Sequence, residues 1–134
     1  MHCFIISPIG AIGSEVRRLA DAVFVTVIEP ALAMTNVTGH RADHINDVGR
    51  ISEQMFNDIL GADFCIALLT GSNPNVFYEV AVAHSAGIPV ILLTEPNIDP
   101  PFDLKDQRTL HYNLEPVAVF RGDNPRALAE RIEN

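Results

Sequence analysis

Phe64-Cys65-Ile66-Ala67-Leu68-Leu69-Thr70-Gly71-Ser72-Asn73-Pro74-Asn75-Val76-Phe77-Tyr78-Glu79 passes from an apolar run, through a polar turn, into a helix-compatible segment over residues 76–86 that Gly87 ends. The order is buried strand, turn, helix. In an open parallel sheet, a helix that follows a strand begins at the strand's carboxyl edge, where ligands bind. Glu79 is the only acid between Asp63 and Glu95. A lone carboxylate in an apolar helix is costly to bury unless something pairs with it. It is either a satisfied acid at a helix start or a functional group.

The same alternation runs outward in both directions. Residues 3–6 form a short apolar run, read as a central strand, and a loop with Gly10 and Gly13 follows. Residues 15–34 carry Val16, Leu19, Ala20, Val23, Val27 and Ala31 at three- and four-residue steps, the signature of one apolar helix face. Ser14 is the expected N-cap, and Pro30 is expected to kink or end this helix in its last turn. Residues 36–40 suit a short edge strand, 41–44 a polar connector, and 47–60 a second helix with a Val48, Ile51, Met55, Ile59 stripe. Residues 90–93 read as a fourth strand. A helical turn is expected over 103–109, and a fifth strand over either 110–113 or 117–120. A last helix starts at Asp123-Asn124-Pro125, with Pro at its first position. Unbroken apolar strands alternating with helices predict a three-layer α/β sandwich, flavodoxin-like or Rossmann-like, with a parallel sheet of about five strands. The expected strand order is 2-1-3-4-5, among those that right-handed crossovers permit.

Composition narrows the function. The chain has 134 residues, 48% hydrophobic and 19% charged, which fits a single domain with a sizeable core. It ends without a C-cap, which reads as a domain cut from a longer protein. No apolar run approaches the ~20 residues that span a bilayer, and no basic start marks a signal peptide, so a cytoplasmic location is expected. Cys3 and Cys65 lie in apolar runs and read as buried small hydrophobes, not as a disulfide or a zinc site. A net charge of −8 argues against general nucleic-acid binding. No cofactor and no metal are expected.

Four loops, at residues 7–14, 40–47, 70–75 and 94–101, should meet at the carboxyl edge. They carry Ser7, Ile9, Gly10, Ser14, Arg41, Asp43, Asn73 and Asn75, with Tyr78 and Glu79 just behind the third. The first loop has two glycines before a helix, an arrangement that can cradle an anion on backbone N–H groups. It matches neither the dinucleotide fingerprint nor a Walker motif, and a plain tight turn is the alternative. Asn73 and Asn75 are turn formers as readily as ligand groups. His84 is expected to make a structural hydrogen bond, Asp63 to cap a strand entrance at the opposite edge, and Arg17 to pair with Asp21. Glu79 suits a reaction that builds positive charge on a sugar. Glycoside cleavage passes through an oxocarbenium-like transition state that a carboxylate can stabilise or attack. Cleavage of a nucleoside C1′–N bond poses the same demand, and Tyr78 or the asparagines could hold the sugar hydroxyls.

Ile5-Ile6-Ser7-Pro8-Ile9-Gly10, Arg41-Ala42-Asp43, Ala62-Asp63, the block from Thr70 to Glu79 and Ala83-His84-Ser85-Ala86-Gly87-Ile88-Pro89-Val90 resemble nucleoside 2-deoxyribosyltransferase-like proteins. That group includes bacterial nucleotide N-glycosidases and is related in fold to TIR domains that hydrolyse NAD. The resemblance spans residues 3–93. It implies that Glu79 is the catalytic carboxylate, that Ser7, Ile9, Gly10, Ser14, Arg41, Asp43, Asn73, Asn75 and Tyr78 bind substrate, and that the substrate is NAD or a nucleoside monophosphate. It further implies an effector of antiviral defence, forming a homo-oligomer and fused to or activated by a sensor domain. A non-catalytic nucleotide-binding module and a deoxyribosyltransferase are the alternatives. One departure stands out: such proteins often carry Asp where this chain has Leu68.

Overall fold

The computed structural model describes residues 1–8, 13–41, 53–69, 74–96 and 108–133. Five strands, β1 (His2–Ile6), β2 (Thr38–Arg41), β3 (Phe64–Leu68), β4 (Val90–Thr94) and β5 (Arg108–His111), form one sheet in the order β2-β1-β3-β4-β5. Every neighbouring pair is parallel. This is the flavodoxin-like arrangement. Parallel neighbours need a crossover, and the crossovers carry the helices that cover both faces.

Apart from His2 and Thr94 at their ends, β1, β3 and β4 are apolar because each face of the sheet buries its own core. On one face, Cys3, Ile5, Phe64, Ile66, Leu68, Ile91 and Leu93 meet helices α1 (Glu15–Val23), α2 (Glu29–Thr35) and α6 (Asp123–Glu133). On the other, Phe4, Ile6, Cys65, Ala67, Leu69, Val90 and Leu92 meet α3 (Glu53–Leu60) and α4 (Pro74–Ser85). Cys3 and Cys65 are free and buried, and their side chains belong to opposite faces, so the chain cannot join them. Burial pushes the Cys65 thiol up to about 12.

Residues 15–35 are helical as expected, but not as one regular α-helix. Phe24–Ile28 is a π segment between α1 and α2, and the Glu29 N–H donates to the Phe24 carbonyl. Pro30 does not stop the helix; it occupies the start of α2. Proline lacks an N–H and its ring crowds the carbonyl four residues back, so a widened turn just before it lets the helix continue. The helix ends at Asn36, in the left-handed conformation with φ 56°. Ser14 caps α1 as expected: its hydroxyl accepts the Arg17 N–H at 3.2 Å.

Four further expectations change. α4 starts at Pro74, two residues before Val76, so Asn75 lies in its first turn instead of the preceding loop. Pro fits there because a first-turn N–H has no partner to lose. Residues 117–120 are not a strand: α5 (Pro116–Arg121) is set by Pro116 at one end and by Gly122, φ 69°, at the other, which outweighs the strand preference of two valines. The fifth strand runs Arg108–His111, so the helical turn expected over 103–109 fails at Arg108 and Thr109, while 103–107 lie outside the described residues. α6 begins at Asp123 and makes Pro125 its third residue. Asn124 is buried and braces this corner, accepting the Asn113 N–H at 2.7 Å and donating to the Asn113 carbonyl at 2.8 Å. Of the second helix, Met55 and Ile59 are buried as the stripe requires; Val48 and Ile51 lie outside the described residues. Among the described residues, no helix is long and apolar enough to cross a membrane.

Candidate active site

α4 follows β3 at its carboxyl end and packs across β3, β1 and β4. Its inward residues are Val76, Glu79, Val80 and Ala83. That spacing is one helix face, so the carboxylate takes an inward position that an apolar side chain would ordinarily fill. Glu79 is 5% exposed. The sheet face that α4 covers is aliphatic, aromatic or thiol: Ile6, Ala67, Leu69 and Leu92, with Phe4 and Cys65 further along. Small side chains at Ala67 and Ala83 let the helix approach closely.

No salt bridge or hydrogen bond joins Glu79 to another described residue. Burial alone pushes its carboxyl from an ordinary 4.5 up to about 7. The rise reflects desolvation, which disfavours the charged form when no cation or donor compensates. Cys65 lies close enough that a charged Glu79 helps to raise its thiol. These facts separate the two readings of this acid. Glu79 is the sixth residue of α4, and no acid lies in the first turn. Favourable charge–dipole interaction falls off within that first turn. The carboxylate is therefore not a helix-start stabiliser, and it is held in a place that works against its own ionisation.

The other expected site residues divide between the two faces of the sheet. Ser7 follows β1 directly at the carboxyl edge and is half-buried. Asn75 and Tyr78 are on α4 itself; Tyr78 is 53% exposed and turned outward beside Glu79. Ser14 and Arg41 belong to the α1 side. The Ser14 hydroxyl is engaged as the α1 cap. Arg41 is the last residue of β2, not part of a connector; its guanidinium lies 4.3 Å from the Phe24 ring centroid and 3.0 Å from Asp21 Oδ1. Arg17 approaches the same Asp21 oxygen at 3.3 Å, as its spacing predicts. Asp21 thus sits between two cations, and Arg41 is drawn along α1 on the face away from Glu79. Ile9, Gly10, Asp43 and Asn73 lie outside the described residues.

Asp63 sits at the amino edge and accepts the His2 N–H at 2.7 Å, the capping role expected of it. His84 differs from expectation: its Nε2 is buried without a hydrogen-bond partner. A further feature of the carboxyl edge escaped the sequence. A groove of about 840 Å³ opens where β4 and β5 end, lined by His111, Asn113, Glu115, Val117, Arg121 and Asp123 among others. It belongs to the loop after β5, which could be placed only once residues 117–120 were known to be helical.

Leu68 bears on the chemistry by its direction. Its side chain is fully buried among Ile66, Leu93 and Tyr112, on the sheet face opposite α4 and Glu79. Leu68→Asp is therefore expected to place an acid in a dry core, not to add one to the Glu79 site. The loss should be at least roughly 3 kcal/mol, read as a shift in the urea unfolding midpoint. An unchanged midpoint would show that the position is open to solvent.

The fold and the buried carboxylate together define a doubly wound α/β protein with a desolvated acid on the helix that leaves the sheet's central strand. Solved structures share this fold. A CMP N-glycosidase from Clostridium botulinum superposes with TM-score 0.57 at 13% identity, covering 92% of this chain and 99% of its own. A 2-deoxyribosyltransferase from Bacillus psychrosaccharolyticus gives 0.60 at 14%, covering 89% and 96%. A conserved protein from Enterococcus faecalis V583 gives 0.57 at 19%, covering 99% and 97%. No protein-family model and no curated protein sequence matches the chain.

Proposed function

We propose that the protein is an enzyme that breaks the C1′–N bond of a nucleotide, with NAD or a nucleoside monophosphate as substrate and Glu79 as the catalytic carboxylate. The observation that carries this reading is the burial of Glu79, with no partner among the described residues, on the helix that follows the central strand at the carboxyl edge of a parallel sheet. The shared fold with a nucleotide N-glycosidase and a deoxyribosyltransferase supports it. As the bond to the base lengthens, its electron pair leaves with the base and positive charge develops at C1′. An ionised Glu79 stabilises or attacks that carbon. In a site of low dielectric the attraction is far stronger than in water, and the fixed carboxylate needs no reorganisation. Water then adds to C1′ and gives up a proton, to the departing base or, where neutral nicotinamide leaves, to solvent; NAD yields ADP-ribose and a nucleoside monophosphate yields the free sugar phosphate. A second base in place of water makes the same site a transferase.

Ser7 and the loop after it hold the phosphate or ribose in this reading, and Tyr78 and Asn75 hold sugar hydroxyls from α4. Asp43, Asn73, Ile9 and Gly10 complete the substrate shell. Ser14 and Arg41 also belong to the substrate-binding set in this reading, beside the partners they already have. The protein works in the cytoplasm as a homo-oligomer, in a defence system whose sensor is fused to it or activates it.

Incubation with NAD, with nucleoside monophosphates and with nucleosides, each with and without a second base, is followed by chromatography of the released base. Release from at least one is expected, and release from none at high enzyme concentration would sink the enzymatic reading. Leu68 faces the other core and so does not favour the second reading, a nucleotide-binding module without catalysis. That reading predicts tight nucleotide binding with no turnover, and only a modest loss of affinity in Glu79→Ala.

A further inference from the structure

We propose, resting on the reaction above, that the groove beyond β4 and β5 holds the second ribosyl phosphate of a dinucleotide whose C1′–N bond is cleaved at Glu79. Of the two substrate classes, this selects the dinucleotide. The groove and Glu79 share one edge of the sheet. Pro96 stands two residues beyond β4 and His111 is the last residue of β5, so the groove opens where both strands end. α4 leaves the same edge after β3, and β4 lies between β3 and β5. Neighbouring strands are about 4.8 Å apart, which puts the ends of β3 and β5 roughly 10 Å apart. A nucleoside monophosphate with C1′ at Glu79 has nothing beyond its single phosphate to fill that groove. A pyrophosphate crosses the end of β4 and carries a second ribose to the far side, while Ser7 meets the ribose of the half that is cleaved.

The lining fits a sugar phosphate. The groove, about 840 Å³, is of the size of ligand pockets. Most such pockets are walled by apolar side chains; here Asn113, Glu115, Arg121 and Asp123 make the lining mainly polar. A guanidinium grips phosphate oxygens through two parallel N–H donors, and in dinucleotide-binding sheets a carboxylate takes the ribose hydroxyls. Arg121 is the last residue of α5 and Glu115 its N-cap, about 9 Å apart along the helix axis. A ribose 5-phosphate held at both ends bridges that span with the reach of the two side chains. Among the described residues, no ion pair engages Glu115, Arg121 or Asp123. The turn that presents Glu115 is fixed in advance. Asn113 Oδ1 accepts the Glu115 N–H at 2.9 Å, and buried Asn124 bonds both backbone groups of Asn113. Such preorganisation lowers the cost of ordering on binding. The net charge of −8 repels a phosphate at long range, but physiological salt screens charges beyond about 8 Å, and Arg121 acts inside that distance.

Calorimetric titration of the full chain tests this without reference to turnover, in the Glu79→Gln background so that every ligand stays whole. The probes are AMP, ribose 5-phosphate, inorganic phosphate and NAD. AMP should bind, ribose 5-phosphate should compete with it, and NAD should displace it. Inorganic phosphate should bind far more weakly than either sugar phosphate. Adding Arg121→Ala or Glu115→Gln should weaken AMP and NAD roughly tenfold or more, the size of a lost charge-assisted hydrogen bond. Melting curves should not change, because both side chains are exposed. Val25→Asp, on the α1–α2 connection, should leave AMP binding intact. No AMP binding at millimolar concentration, or AMP binding that both groove variants leave intact, would overturn the proposal. So would NAD that fails to displace AMP, or inorganic phosphate that binds as tightly as AMP. Base release from a nucleoside monophosphate by a wild-type chain that binds no AMP would refute this subsite and leave the reaction standing. AMP held by Arg121 and Glu115 in a chain that releases no base would sink the reaction and leave the groove its ligand.

Discussion

Glu79→Gln is expected to abolish base release while raising the melting temperature. Losing a fixed charge that meets a developing cation costs ~10²-fold or more in turnover. Stability should move the other way at neutral pH and above. The folded protein keeps the Glu79 proton up to about pH 7, whereas the ordinary carboxyl value is 4.5. Between those values the folded state holds more protons than the unfolded chain, so stability falls as pH rises and the penalty is complete above about 7. A shift of that size corresponds to roughly 3 kcal/mol as an upper bound. Glutamine keeps the shape and does not ionise, so it escapes the penalty. For a domain of this length the gain amounts to roughly 5–10 °C in melting temperature at pH 8. It should vanish toward pH 4, where both side chains are neutral. Melting curves and base release on the same samples decide the matter. A variant that is less stable at pH 8 and fully active would return Glu79 to a structural role.

The pH profile of kcat/KM should rise through about pH 7 and then level off. Only the ionised carboxylate can stabilise or attack the sugar cation. The free enzyme's profile reports the carboxyl's own titration, and that carboxyl titrates near 7. Below the midpoint, activity should fall about tenfold per pH unit, so the loss at pH 5 is on the order of 10²-fold. The stability and activity curves therefore run in opposite directions: the state that works is the state the fold disfavours. A profile that stays flat between pH 5 and 8 with an intact fold would mean that Glu79 does not titrate in the rate-limiting step. A profile that falls through 7 would mean that the neutral acid is the working form, donating its proton to the departing base.

β1, β3 and β4 were legible because strands covered on both faces read as nearly unbroken apolar runs, α1 because a helix buried on one side repeats at three and four residues, and α6 because Asp123-Asn124-Pro125 marks a helix start. Turn and cap residues marked most ends: Ser14 before α1, Gly61 after α3 and Gly87 after α4. Glu79 stood out for a similar reason, being a single acid in an apolar stretch. Periodicity says that a helix has an inner face but not what meets that face. Whether Glu79 was compensated depended on Phe4, Ile6, Cys65 and Leu92, brought beneath α4 from three strands. The direction of Leu68 depended on register: a strand buried on both sides shows no alternation in its sequence, and only pairing with β1 and β4 assigns its side chains to one core or the other. Arg41 was read as a substrate ligand from its place at the carboxyl edge, and the contacts that Asp21 and Phe24 make with it across the gap between α1 and the edge strand were not visible along the chain. For Val117 and Val119, strand preference is a weak local energy, and Pro116 and Gly122 closed a helix around them. Local energies and periods along the chain determined the elements and the order in which they could pack. The environment of each polar side chain was decided by segments distant in sequence, because desolvation and pairing depend on what surrounds a group in space.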